Sequence, residues 1–202
     1  AFVATVLGFL LSLPLAVLSS RNLYGDRIAI PTRMLLAAIR TIPSLIWAIL
    51  FVIMVGLGPV PGVLAMTFYT IGYIGKLQYE AIEGLSSSPL DAARAMGLGN
   101  IEIVERVVIP ESANNLISQC LFMFEYNVRQ GSIVGIVGAG GLGTELFFYY
   151  DAQMYQRVMS LLIILFCVVV TIDLLSIKAR SYFVEDSNFK RPYIFGNIFK
   201  EK

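Results

Sequence analysis

The chain has 202 residues, of which 57% are hydrophobic and only 14% are charged, and its mean hydropathy is +0.75. Soluble domains are about 25% charged, so water is not the solvent of most of this surface. The net charge of +1 favours no class of partner, and the absence of histidine removes the commonest general base and metal ligand. This composition argues against a soluble enzyme and indicates a membrane protein.

Segments long and apolar enough to cross a bilayer, which takes about 20 residues, occur throughout the chain. They are the five segments 1–19, 41–57, 61–77, 115–137 and 157–177. Pro31 is expected to start a helix before the second span, and Pro43 to kink it. Residue 1 lies inside an apolar run without a signal-peptide pattern, so we expect a further span upstream. The sequence predicts an all-α, polytopic transmembrane domain over 1–177.

A polar stretch between the third and fourth spans has strong helix-boundary signals. Ser88 is a favourable N-cap, Pro89 fits the first helical position, and Asp91 completes a capping box with Ser88. Gly97 suits the left-handed residue that ends a helix. The pattern predicts a helix over 89–96.

A second helix is expected from Asn100, as its cap, to Val108. The first helix has only two turns, which is too short to be stable alone in water. It is therefore expected to dock into a partner, and three alanines keep it slim enough to enter a groove: Ala92, Ala93 and Ala95.

The spacing in this stretch resembles a motif of the permease subunits of bacterial ABC importers, which reads Glu-Ala-Ala, three residues, Gly, nine residues, Ile-x-Leu-Pro. The corresponding positions are Asp91, Ala92, Ala93, Gly97, Val107, Ile109 and Pro110. Asp91 replaces the usual glutamate and keeps a negative charge near the helix N-terminus. The resemblance implies that 86–110 is a coupling region whose short helix inserts into a cytoplasmic ATPase. The implied coupling residues are Ser88, Pro89, Asp91, Ala92, Ala93, Arg94, Met96, Gly97 and Pro110.

The distribution of basic residues favours one orientation. With the coupling region inside the cell, the cytoplasmic segments 20–40, 76–111 and 178–202 hold 13 of the 15 basic residues. Arg129 and Arg157 remain at the outer side or within the membrane. We therefore expect residue 1 outside, the C-terminus in the cytoplasm, and an interfacial tail at 178–202 that contacts membrane lipid.

The fourth span combines ionisable groups with glycines. Glu125 and Arg129 are four residues apart, so they can pair on a helix. They can lie at a helix end and touch only headgroups. Alternatively Arg129, with Asn127, can line a pathway and donate hydrogen bonds to an anion.

Six glycines follow between Gly131 and Gly143. Part of this run matches the G-x-G-x-x-G dinucleotide fingerprint, but no strand–helix unit surrounds it, so we reject that interpretation. The glycines are expected to break the helix and let backbones approach, as a gate requires, or simply to pack helices. The predicted pathway and gate residues are Glu125, Asn127, Arg129, Ser132, Gly138, Gly140, Gly141 and Gly143.

A longer series of runs, covering roughly 1–177, resembles the phosphonate-transporter permease family. Among them are RNL at 21–23, IPSLIWAILFV at 42–52, TIGYIGKL at 70–77 and YNVRQGSIVGIVGAGGLG at 126–143. The glycine run also resembles that of methionine-importer permeases. The substrate therefore stays open between phosphonate, phosphite or hypophosphite on one side and methionine or another small solute on the other.

This resemblance implies a type I, methionine-importer-like permease of five spans with a cytoplasmic coupling helix, in the bacterial inner membrane. It also implies a homodimer, a pair of ATPases below and an extracytoplasmic solute-binding protein above. The chain has no G-x-x-x-x-G-K-[ST] loop, so ATP and Mg are expected on the partner ATPase and no cofactor, metal or nucleic acid on this chain. A channel or scaffold without an ATPase is the alternative. A membrane-embedded enzyme is disfavoured because Asp173 stands alone in the last span.

Overall fold

The computed structural model describes residues 1–183, which form ten α-helices and no β-strand. The first half contains α1 (Phe2–Ser19), α2 (Arg21–Tyr24), α3 (Asp26–Thr41), α4 (Ser44–Val55) and α5 (Pro59–Glu83). The second half contains α6 (Ser87–Ala95), α7 (Asn100–Ile103), α8 (Ile109–Gly135), α9 (Leu142–Asp151) and α10 (Tyr155–Phe183). The predicted all-α fold is confirmed.

Helices α1 and α5 run in the same direction at the centre of the bundle. A methyl group at Gly8 would lie 2.5 Å from Cβ of Thr70, so the two backbones approach closely. Further along, the buried Ser12 hydroxyl donates to Oε1 of Gln78 at 2.8 Å. Close packing of small residues and interhelical hydrogen bonds are what hold helices together in lipid, where the hydrophobic effect does not.

The second predicted span is a broken helix. Helices α3 and α4 are bent by 83° at a break that contains Pro43, so the predicted kink is confirmed. The expectation for Pro31 is wrong, because it lies inside α3, which starts at Asp26. Helix α4 has 12 residues and reaches about 18 Å, less than the bilayer core, so it cannot span alone.

Helix α3 lies alongside the half of α5 that leads to Glu83. A methyl group at Gly75 would lie 2.9 Å from Leu36, and one at Gly72 would lie 2.8 Å from the backbone nitrogen of Arg40. Gly72 is near the middle of α5. The end of α3 is therefore at half-height of the bundle, whereas the charge count placed all of 20–40 in a cytoplasmic segment.

Length and composition alone identify fewer spans than the five expected. Helix α1 and the Tyr155–Ser181 part of α10 qualify by themselves, and the bent pair α3–α4 qualifies together. Helices α5 and α8 are long enough, with 25 and 27 residues, but they carry polar side chains. Gln78 of α5 and Asn127 of α8 are buried in the bundle, where polar groups avoid lipid. The five expected spans thus correspond to α1, α3–α4, α5, α8 and α10.

The helix expected to stop at Val108 does not stop there. Helix α7, a π-helical turn at Val104–Val108 and α8 follow one another without a break. Pro110 has no N–H, and in a regular α-helix its ring would clash with the carbonyl four residues earlier. The wider π turn, in which the Ile109 N–H bonds to the Val104 carbonyl, accommodates this proline.

The boundary expected at 177–178 is not a helix end, because α10 continues to Phe183. The rest of the predicted interfacial tail, 184–202, lies outside the described residues.

Candidate coupling and translocation sites

The coupling end of the bundle is the end that carries α6. Ser86, not Ser88, is the residue before this helix, and no side chain caps it. The predicted Ser88–Asp91 capping box is therefore wrong, since three consecutive serines leave the start of the helix ambiguous. Pro89 still lies in the first turn, where backbone N–H groups have no partner within the helix.

The end of α6 follows the prediction. Gly97 has φ +79°, the left-handed conformation that glycine adopts without strain. The Gly97 N–H bonds to the Arg94 carbonyl at 2.9 Å and the Leu98 N–H to the Ala93 carbonyl at 3.2 Å. These two bonds form a Schellman motif. The expected cap at Asn100 is wrong, because α7 begins after Gly99, whose N–H donates to the Glu102 carboxylate at 2.9 Å.

Helix α6 has one buried face and one exposed face. Leu90 and Ala93 are buried in a cluster with Ile82, Ile103 and Val108. Ala93 therefore packs inside the chain and does not narrow an outer face as expected. The exposed face, which we call the docking face, consists of Asp91, Ala92, Ala95 and Met96. Pro110 is also exposed, at the start of α8.

Arg94 ties α6 to the bundle. Its guanidinium donates to the main-chain oxygen of Asn22 and lies 3.4 Å from the Asp91 carboxylate. The Asn22 side-chain amide in turn donates to the carbonyl of Ile82 at 3.0 Å. Arg94 was predicted as a coupling residue, and in the structure its guanidinium also forms contacts inside the chain. Arg94 thus joins α6 to α2, and Asn22 joins α2 to the end of α5.

A second ion pair at the coupling end was missed by sequence reasoning. Arg33 of α3 pairs with Glu83 at the end of α5 and lies 4.4 Å from the ring centre of Tyr79. The same Glu83 carboxylate accepts the backbone N–H of Arg21 at 2.7 Å. No local pattern links these residues, because they lie on separate helices. They fix α2 and α3 to α5 directly above α6.

The ionisable groups of the fourth span lie between α8 and α10. Glu125 pairs with Arg129, as predicted, and also accepts a bond from Arg180 at 2.8 Å. Asp173 lies 3.8 Å from Arg129, so it is not isolated as the sequence suggested. Two acids and two arginines balance in charge. Because Glu125 is ten residues before the end of α8, the Glu125–Arg129 pair does not sit at the end of that helix, whereas Arg180 lies in the last turn of α10.

We expect Glu125→Gln to lower the free energy of unfolding by about 1–3 kcal/mol, because it leaves two arginines with one acid in a partly buried site. The side chain of Glu125 is only 13% exposed. Thermal unfolding in detergent tests this. Glu80→Gln is the matched control, since Glu80 forms an exposed i,i+4 pair with Lys76 and should lose less than about 0.5 kcal/mol. Equal losses in the two variants would contradict a structural role for Glu125.

Asn127 faces the interior of the subunit. Its side-chain amide donates to the hydroxyls of Thr5 and Thr70, both at 2.9 Å, and joins α8 to α1 and α5. It is 1% exposed. The expectation that Asn127 helps Arg129 to bind an anion is not met by this geometry, since the amide N–H groups are used between helices.

The glycine run interrupts the helix between α8 and α9, as predicted. Gly138, Gly140 and Gly141 all have left-handed φ angles between +80° and +83°. A methyl group at Gly143 would overlap the Ser132 carbonyl and lie 3.0 Å from Cα of Gly135. The glycines thus serve both for the break and for close backbone approach. Ser132 and Gly140 line a cavity of about 290 Å³ at the end of the bundle opposite α6.

Within residues 1–183 no group of three or more Asp, Glu or Cys side chains is arranged to hold a metal ion. Cys120 is half-buried and Cys167 is exposed, and both are free thiols.

Five spans, an exposed short helix at one end and a glycine-broken helix at the other define a polytopic membrane permease. The sequence from residue 8 to residue 180 matches the family described as binding-protein-dependent transport system inner membrane component. The chain belongs to this family and is a multi-pass protein of the inner membrane.

Curated relatives include the phosphite transport system permease protein PtxC of Stutzerimonas stutzeri, which is 34% identical over 89% of this chain and 66% of its own length. The phosphate-import permease protein PhnE of Mycolicibacterium smegmatis is 36% identical over 90% of this chain and 34% of its length. The chain therefore spans less than two thirds of either relative. The resemblance to phosphonate-type permeases is confirmed.

Among solved structures, an inward-facing MetNI methionine ABC transporter has a TM-score of 0.79 at 22% identity over 90% of each chain. At this identity the likeness shows the fold, and it confirms the predicted methionine-importer-like architecture.

Proposed function

We propose that this chain is the membrane-spanning subunit of an ATP-driven importer for phosphite, phosphonate or a related phosphorus oxyanion. The observation that carries the proposal is the arrangement of α6. Its docking face is exposed, and its other side is buried and hydrogen-bonded through Arg94 to α2, which is bonded to the end of α5. The phosphite and phosphate permeases at 34% and 36% identity support the substrate class. Methionine is the second candidate, supported by fold alone.

The partners follow from the family. A pair of ATPases docks on the α6 helices and supplies ATP and Mg binding, and a solute-binding protein delivers the substrate from the other side. Two copies of this chain enclose the pathway. The chain itself performs no catalysis and needs no cofactor.

The orientation we propose places α6 in the cytoplasm and residue 1 outside. The basic residues support it, because Arg33, Lys76, Arg94 and Arg106 all lie towards the coupling end. The break at Gly138–Gly141 then faces the binding protein and serves as the outer gate.

Reconstitution tests the proposal. The permease, its ATPase and its binding protein in proteoliposomes should accumulate phosphite or a phosphonate only when ATP is supplied. Accumulation of methionine and not of phosphorus oxyanions would select the second candidate. Passage of solute without an ATPase would favour a channel and overturn the proposal.

A further inference from the structure

A second cavity, of about 290 Å³, lies at half-height of the bundle where α3 breaks into α4. Its polar lining consists of Arg40, Thr41, Ser44, Tyr69, Tyr126 and Gln130, and it contains no carboxylate. The one charged side chain in the lining is a cation. This cavity is separate from the glycine-lined cavity and from the Glu125 ion pairs.

Arg40 differs from three other arginines of the long helices, which take part in ion pairs. Arg33, Arg129 and Arg180 each pair with a carboxylate. For Arg40, no carboxylate among residues 1–183 lies within 4.0 Å. An uncompensated cation at half-height of a membrane protein is costly, and such groups face a cavity or a ligand of opposite charge. Arg40 therefore meets that expectation, whereas Arg129 is already neutralised by acids.

The aromatic side chains opposite Arg40 form a directed chain of hydrogen bonds. The Gln130 amide donates to the Tyr126 hydroxyl at 2.9 Å, and the Tyr126 hydroxyl donates to that of Tyr69 at 3.1 Å. The rings of Tyr69 and Tyr126 stack with centroids 5.6 Å apart, which fixes both hydroxyls. Within the described residues, the Tyr69 O–H has no acceptor. Tyr69 is the last group in this series of hydrogen bonds, so it offers a donor to the cavity.

Resting on the proposed function, we propose that Arg40 and Tyr69 form a binding site for the phosphorus oxyanion within the pathway. A guanidinium matches two oxygens of a tetrahedral oxyanion, and a phenol adds a third donor. The break at Pro43 makes the site possible, because it ends α3 at half-height and directs α4 away. A lipid headgroup carries the same phosphate chemistry, and the experiment below separates the two sources.

The test uses the complete transporter in phosphatidylcholine vesicles with phosphite as the probe. Arg40→Gln should reduce ATP-driven uptake at least about tenfold relative to the wild type, and Tyr69→Phe about threefold. Arg27→Gln is the matched control. Arg27 and Arg40 are both exposed on α3, but Arg27 does not line the cavity, so its variant should transport normally.

The outcomes separate this site from the proposed function. If the wild type accumulates phosphite and Arg40→Gln does so equally, the site is overturned alone. If the wild type hydrolyses ATP but accumulates neither phosphite nor a phosphonate, the proposed function is overturned, and the site with it.

A labelling experiment needs no transport. Ile133 lines the cavity, so Ile133→Cys, with Cys120 and Cys167 changed to serine, places one thiol there. Millimolar phosphite should slow its reaction with a charged thiol reagent at least threefold, and adding Arg40→Gln should remove that protection. Protection by phosphatidylglycerol in the vesicles, but not by phosphite, would assign the site to a lipid and contradict the proposal.

Discussion

Gly97→Pro should abolish ATP-coupled transport while the permease still inserts into the membrane. Proline cannot adopt φ +79°, and it lacks the N–H that bonds to the Arg94 carbonyl. The substitution destabilises the C-terminal end of α6 by about 3 kcal/mol or more. This lowers the fraction of molecules in which that helix end is folded roughly a hundredfold. The expected result is loss of substrate-stimulated ATP hydrolysis in the reconstituted transporter.

Two further variants make this result specific to the backbone. Gly97→Ala should cost about 1 kcal/mol, because only the left-handed conformation is penalised. Gly99→Ala should behave as wild type, since Gly99 has φ −71° and the nearest atom to an added methyl is 3.7 Å away. Full substrate stimulation in Gly97→Pro would remove α6 from the coupling mechanism.

Gly143→Val should prevent the end of the bundle opposite α6 from assembling. Its Cβ would overlap the Ser132 carbonyl, and backbone cannot move aside as a flexible side chain can. In the native fold, the hydroxyl of the next residue, Thr144, donates to the Gly135 carbonyl at 2.8 Å. This hydrogen bond is also lost if α9 is displaced. We expect the yield of folded protein to fall to background, or stability to fall by about 3 kcal/mol or more.

Gly131→Ala is the matched control for this prediction. An added methyl there would meet only the terminal carbon of Met66 at 3.2 Å, and methionine repacks readily. Size-exclusion profiles and thermal unfolding in detergent compare the two variants. Equal stability for Gly143→Val and Gly131→Ala would show that α8 and α9 do not approach as described.

Features set by local backbone chemistry were predictable from the sequence. Gly97 ends α6 because few residues accept a left-handed φ, and Pro43 breaks the second span because a proline interrupts the helix before it. The break at Gly138–Gly141 follows from the same argument. The cap at Ser88 failed because Ser86, Ser87 and Ser88 compete for one role. The helix start at Pro31, the cap at Asn100 and the helix end at Val108 were also wrong, although each rested on a local signal.

Features that depend on which helices pack against each other were not predictable from the sequence. Glu125 and Arg180 are 55 residues apart, and no periodicity indicates that α8 and α10 place them together. The distribution of basic residues predicts a cytoplasmic Arg40. It contains no information on the packing of α3 along α5 as far as Gly72. The sequence therefore predicts Arg129 as the pathway arginine, whereas the fold pairs Arg129 with Glu125 and Asp173.

The most direct test of the central claim is labelling of Ala92→Cys, with Cys120 and Cys167 replaced by serine. Ala92 lies on the docking face and is exposed. A membrane-impermeant thiol reagent should label it in inside-out vesicles and not in intact cells, and bound ATPase should block the labelling. Labelling in intact cells, or labelling unaffected by the ATPase, would contradict the account of α6 as a cytoplasmic coupling helix.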